Sequence, residues 1–113
     1  MSFQNQFTKT TTDANLMETV HHGSAEYPFR YYYENIALFD FKCIDWHWHS
    51  ELEFIYIESG NVVFDIGTVH FELNEGNGIM INSKILHRLQ SSSDAIIPNF
   101  LFQPSFIAPQ DSL

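Results

Sequence analysis

Trp46-His47-Trp48-His49-Ser50-Glu51-Leu52-Glu53-Phe54-Ile55-Tyr56-Ile57-Glu58-Ser59-Gly60 is the stretch on which the fold of this chain turns. Two histidines stand one residue apart, a carboxylate follows four residues after the second, and a strand-favouring apolar run ends at a glycine. Side chains alternate along an extended chain, so His47, His49 and Glu53 share one face. Two imidazoles and a carboxylate converging from a strand are ligand types of a divalent metal site with open positions. Glu51 has the same parity and competes with Glu53, with a solvated rim as its alternative. Trp46 and Trp48 point the other way, as core or interface residues.

The flanks continue the β reading. Residues 1–15 are polar and threonine-rich and are expected to be a flexible leader, with the barrel at 16–106 and a tail at 107–113. His21 and His22 are expected in an exposed loop. Tyr27-Pro28-Phe29-Arg30-Tyr31-Tyr32-Tyr33-Glu34 reads as a strand whose more apolar face, Phe29, Tyr31 and Tyr33, should point inwards. With Met80, those three are the candidate lining of a ligand pocket. Leu38, Phe39, Phe41 and Ile44 are expected to be buried. Alternating runs at 61–66 and 68–73 flank a turn at Gly67, and Gly76 and Gly78 mark a further turn. Residues 79–81, 85–90 and 96–102 supply the last apolar runs. Short strands between Gly and Asn turns, without an amphipathic helix, indicate an all-β sandwich or barrel.

Composition narrows the function classes. Five basic residues against fourteen acidic ones give a net charge of −9, which argues against nucleic-acid binding by this segment. Cys43 is the only cysteine, so no intramolecular disulfide can form. The first residues lack a signal-peptide pattern, and no apolar run approaches the roughly 20 residues that span a bilayer. The expectation is a cytoplasmic protein that does not engage a membrane. His70 is expected at the surface, and Lys84 and Arg88 as loop charges.

His47-x-His49-x(3)-Glu53-x(6)-Gly60 resembles the first motif of the cupin superfamily. Gly76-x(5)-Asn82-x-Lys84-x(2)-His87 has the spacing of the second. Asn82 and Lys84 stand where the family has a proline and a glycine, and Phe41 where a glycine often precedes the first motif. The run from Trp46, with the approach Glu18-Thr19-Val20-His21-His22-Gly23 and the later Gly78-Ile79-Met80-Ile81-Asn82, is similar to the N-terminal ligand-sensing domain of AraC-type transcription regulators over about residues 17–106.

The resemblance implies a cupin-type antiparallel β-barrel (a double-stranded β-helix or jelly roll) with little helix. It adds His87 to His47, His49 and Glu53 as a metal ligand. It implies a sugar or other polar metabolite as ligand; the imidazole and carboxylate ligand types suit zinc, nickel, iron or manganese, and an exposed apolar strand face makes a homodimer the expected assembly. It further implies a sensor domain without its helix-turn-helix DNA reader, whose leader orders over the bound ligand. The alternative is a stand-alone metal-dependent cupin enzyme, a dioxygenase or isomerase, with the same four ligands.

Overall fold

The turns set the frame. In the computed structural model, which describes residues 9–20, 22–23 and 28–107, Gly67 takes φ 58° and Gly60 φ 81°. Both values lie in the left-handed region that glycine reaches without steric cost. Gly67 and Thr68 alone separate the paired residues Ile66 and Val69, a two-residue hairpin. At Gly60 a Cβ would lie 2.9 Å from the Ala95 Cα, so no side chain fits there.

Among the described residues eight strands result: β1 (Phe29–Asn35), β2 (Cys43–His47), β3 (Leu52–Tyr56), β4 (Asn61–Ile66), β5 (Val69–Asn74), β6 (Gly78–Ile81), β7 (His87–Gln90) and β8 (Ile96–Phe102). They form two four-stranded antiparallel sheets, ordered β1-β8-β3-β6 and β2-β7-β4-β5. The fold is the expected all-β cupin sandwich. Its one α-helix among the described residues, α1 (Pro104–Ile107), is a single turn. No helix among the described residues is long and apolar enough to cross a membrane.

One parity row organises the interior. His47, His49, Glu51, Glu53, Ile55 and Ile57 are all buried, polar at one end and apolar at the other. The apolar end joins Ile36, Phe39, Ile44, Val62, Phe64, Ile81, Leu89, Ala95 and Ile97 in a single core between the sheets. Phe64 stacks on Phe71 with ring centroids 5.6 Å apart.

Three expectations change. The inward residues of β1 are Tyr32 and Glu34, not Phe29, Tyr31 and Tyr33. Pairing with β8 accompanies this: Tyr32 lies opposite Asn99 and Glu34 opposite Ile97, both of them buried. Met80 is half exposed, because the register of β6 turns Ile81 inwards instead. Of Leu38, Phe39, Phe41 and Ile44, all expected to be buried, Phe39 and Ile44 are, while Leu38 is exposed and Phe41 is 97% exposed. A kink with Phe41 at φ 60° and Lys42 at φ 51° throws the Phe41 ring outwards.

Candidate metal centre and cavity

A slip in β2 builds the site. Ile44 pairs with Leu89 and His47 with His87, so β2 spends one more residue than β7 over the same distance. Without that bulge, Ile44 and His47 would face opposite ways, as positions of opposite parity must. With it both point inwards, and the His47 and His87 rings come to 4.2 Å. His49 follows in the turn before β3, where Lys84 N–H donates to the His49 carbonyl at 2.8 Å and Ser83 Oγ to that of Ser50 at 2.6 Å. Glu53 arrives on β3, between Ile81 of β6 and Leu101 of β8.

The four side chains are buried, and their ligand atoms lie within 4.8 Å of one another. Each imidazole is oriented by a backbone carbonyl: His47 Nδ1 by Asp45 at 2.7 Å, His49 Nδ1 by Glu51 at 3.0 Å and His87 Nδ1 by Ile85 at 2.7 Å. A carbonyl only accepts, so each Nδ1 donates and each Nε2 is left to face the shared space. Glu53 Oε1 lies there too, 3.1 Å from His49 Nε2 and 3.3 Å from His87 Nε2. Carbonyl-anchored imidazoles around a carboxylate are the donor set and outer support of a transition-metal site. Two atoms each about 2.1 Å from one ion are at most about 4.2 Å apart, so the cluster needs to close by only about half an ångström.

Charges in the cluster follow from burial and contact. Burial alone would raise Glu53, but hydrogen bonds from His49 and His87 outweigh it and hold the carboxyl well below the ordinary range. Burial likewise opposes a proton on His49, yet the Glu53 contact wins and lifts it to about 9. His47 lacks such a partner, so burial and then His87 push it down to about 4. A metal ion held by His49 would therefore displace a proton.

His47, His49 and Glu53 line one end of a cleft whose empty space, open solvent at its mouth included, is about 540 Å³. The N-terminal segment forms a wall of it. Asp13 accepts from the N–H groups of Asn15 and Met17, and Met17 pairs alongside Trp48. Glu18 N–H bonds to the Trp48 carbonyl at 2.8 Å. Glu18 and His22 thus reach the cleft beside the metal donors. His22 is buried, not in an exposed loop: Nε2 meets Glu18, Nδ1 meets the Tyr32 hydroxyl at 2.7 Å, and its ring sits edge-on to His49 at 5.9 Å. His21 lies outside the described residues. Glu51 is buried rather than solvated, and accepts from His22 N–H at 3.4 Å.

Of the expected site residues, His47, His49, Glu53 and His87 come together, whereas Phe29, Tyr31, Tyr33 and Met80 do not line the cleft. Its polar lining includes Glu18, His22, Tyr32, Glu34 and Asn99, which the sequence reading missed. Parity could have found Tyr32 and Glu34 had their polarity not argued for the outside. His22 lies in the stretch that resembles the family, but its local sequence reads as an exposed loop. At the surface, His70 is exposed and bonds Asp65, and Arg88 pairs with Asp65 at 3.0 Å and covers the Trp46 ring at 4.9 Å.

The AraC-like ligand binding domain family matches residues 32–108. Over 101 residues the chain is 33% identical to the uncharacterized HTH-type transcriptional regulator YdeC of Bacillus subtilis, covering 88% of this chain and 35% of that protein. The chain therefore spans about a third of that relative's length. An RmlC-like cupin from Shewanella frigidimarina superposes with a TM-score of 0.54 at 17% identity, over 66% of this chain and 65% of that one. A conserved protein of unknown function from Streptococcus pyogenes gives 0.56 at 17% identity, over 67% and 63%. These two likenesses are of fold.

Proposed function

Since the chain belongs to the AraC-like ligand binding domain family, we propose that it is the small-molecule-sensing module of a transcription regulator, with a divalent metal ion in its cavity. His47, His49, Glu53 and His87 would hold the ion. One observation supports this above the others: three imidazoles, each locked by its own backbone carbonyl, turn Nε2 towards one carboxylate at the end of a cleft. On an octahedral ion, four protein ligands leave two positions for a chelating molecule; on tetrahedral zinc they would close the site.

The protein's own groups do the rest. Tyr32, Glu34, His22 and Asn99 supply polar contacts along the cleft, and Phe39, Ile44, Leu89 and Leu101 keep its floor apolar. A ligand there acts by binding one arrangement of the domain better than another, which biases whatever the domain is attached to. Glu18 and His22 give it a lever, since they tie the N-terminal segment to the cavity wall. The attached part would be a helix-turn-helix DNA reader, as the name of the B. subtilis relative suggests, and the whole would act in the cytoplasm as a homodimer.

Elemental analysis tests the metal. Untagged protein incubated with zinc, nickel, iron or manganese and then desalted should retain about one ion per chain, and His49→Ala should lose it. Substoichiometric metal that His49→Ala leaves unchanged overturns the assignment. The sensor role is tested by recovering a bound small molecule: a sensor returns it unaltered, whereas a metal-dependent cupin enzyme turns it over.

A further inference from the structure

One sheet ends in β1 and β6, the other in β2 and β5. Edge strands offer backbone N–H and C=O groups to any further strand, and folds blunt them with bulges, prolines, lysines or short length. β2 is bulged, and its Asp45 N–H donates to Thr10 Oγ1 at 2.9 Å. β6 has only four residues. β5, Val69-His70-Phe71-Glu72-Leu73-Asn74, has six, pairs with β4 without a register shift, and contains no proline or lysine.

The hairpin fixes which groups of β5 point outwards. In a two-residue hairpin the residues flanking the loop, here Ile66 and Val69, exchange both backbone hydrogen bonds, and bonded and open pairs then alternate. Val69, Phe71 and Leu73 therefore bond to β4, while His70, Glu72 and Asn74 direct N–H and C=O away from it. Asn77 donates to the Asn74 carbonyl. Among the described residues no hydrogen bond reaches the outward backbone groups of His70 and Glu72.

The side chains complement a second copy of the same strand. Val69, Phe71 and Leu73 form one row; Phe71 and Leu73 pack against the core, and Val69 is 58% exposed. His70 and Glu72 form the other row, with His70 Nδ1 held by Asp65 and Glu72 Oε2 by Asn61. Two antiparallel copies about a two-fold axis must set outward residues opposite outward residues. An axis at Glu72 opposes two carboxylates. An axis at His70 opposes two imidazoles and leaves Glu72 facing Thr68. An axis at Phe71 places His70 opposite Glu72 of the second copy on both sides, Phe71 against Phe71, and Val69 against Leu73. Imidazole opposite carboxylate is the favourable cross-strand pair, and like charges are the unfavourable one. In a chain of net charge −9, this register matches the one acidic residue of β5 and covers Val69.

We propose that β5 is a self-pairing edge: two copies of this chain join β5 to β5 antiparallel about an axis through Phe71, continuing the sheet β2-β7-β4-β5 across both. This rests on the homodimer of the proposed function and names its surface; it requires neither the metal nor the ligand. A strand of six residues is about 20 Å long, so the interface is small and reversible.

Amide hydrogen exchange followed by NMR at about 20 µM and about 1 mM, with sedimentation of the same samples, tests it. Sedimentation should show a monomer–dimer equilibrium, and the His70 and Glu72 amides should exchange at least about tenfold more slowly in the concentrated sample. Val69, Phe71 and Leu73, bonded to β4 in either state, should be slow in both. Glu72→Pro removes an outward N–H while sparing the β4 ladder, and should weaken the dimer at least about tenfold. If Glu72→Pro does not fold, the exchange rates of the unaltered chain decide. A dimer in which the His70 and Glu72 amides exchange as fast as in the dilute sample, or one that Glu72→Pro leaves unchanged, overturns the edge pairing and leaves the homodimer standing. A chain that stays monomeric at about 1 mM overturns both, and leaves the β5 edge to a strand of another protein.

Discussion

The two faces of the sheet β1-β8-β3-β6 depart from the usual distribution of polarity. Its inner face mixes Tyr32, Glu34, Glu53 and Asn99 with Ile55, Ile81, Ile97 and Leu101, all buried. Its outer face carries aromatics: Tyr31 packs on Phe100 at 4.7 Å, Phe100 stacks on Phe102 at 6.3 Å, and Phe54 lies opposite both Phe100 and Met80. Phe29, Tyr56 and Met80 on that side are exposed. The facing sheet is ordinary in this respect, with Ile44, Val62, Phe64 and Leu89 inside. Alternation thus separates the two faces of a strand without saying which is inside. A polar inner face is stable only when its groups satisfy one another, and every buried side-chain polar atom among the described residues has a hydrogen-bond partner.

The hardest blow to the inner face is Glu53→Leu. In metal-free protein it takes away the contact that holds the proton on His49 and leaves the Nε2 atoms of His49 and His87 buried without that partner, and should cost about 3 kcal/mol in a denaturant melt. A neutral result would mean that the cluster is not electrostatically coupled. Asn99→Leu is the sharper test. On an ordinary inner face an added aliphatic group would stabilise; here it strips Glu34 of its amide partner and should cost about 2 kcal/mol. A stabilised Asn99→Leu protein would reduce the inner face to plain core.

Tyr32 gives the comparison a pH signature. Burial pushes its phenol up to about 12 from an ordinary 10. The protonated form is the one the fold favours, so the contribution is complete below pH 10 and is lost as pH rises from 10 towards about 12. Thermal melts across that range should show an alkaline fall in stability that Tyr32→Phe makes shallower; an unchanged slope would remove Tyr32 from the cavity wall.

Smaller effects belong to the exterior. Phe41 and Lys84 stand where the cupin motifs carry glycine, and both adopt left-handed backbone, φ 60° and φ 64°. Phe41→Gly and Lys84→Gly should each stabilise by about 0.5–1 kcal/mol by relieving that strain, net of the flexibility glycine adds to the unfolded chain. A destabilised variant would mean that the side chain makes a contact worth more than the strain. Smallest of all, Met80→Thr on the outer face should shift stability by no more than about 0.5 kcal/mol, and a loss of several times that would show the face to be covered.

What could be read in advance was what depends on neighbours in the chain. His47, His49 and Glu53 share a parity row, and the extension of that row into Ile55 and Ile57 is visible as a run. His87 required the spacing of a family motif, because nothing near it in the chain points to His47. Tyr32 and Glu34 were misplaced because apolar Phe29, Tyr31 and Tyr33 compete for the inside, and only strand pairing decides between the two faces. His22 and Glu18 join the site through hydrogen bonds to Tyr32, Glu51 and Trp48, partners 10 to 30 residues away.

The amino-acid sequence by itself determined the class of fold, the strand-and-turn rhythm and the metal-ligand chemistry, because period-two alternation and turn glycines act through adjacent residues. The tertiary structure decided which side of each strand faces the cavity, through the register with β8. It also decided how His47 and Ile44 came to face inwards together, through one extra residue in β2. Both are outcomes of strand pairing across the barrel, where hydrogen-bond satisfaction of buried polar groups outweighs the local preference for burying aromatic rings.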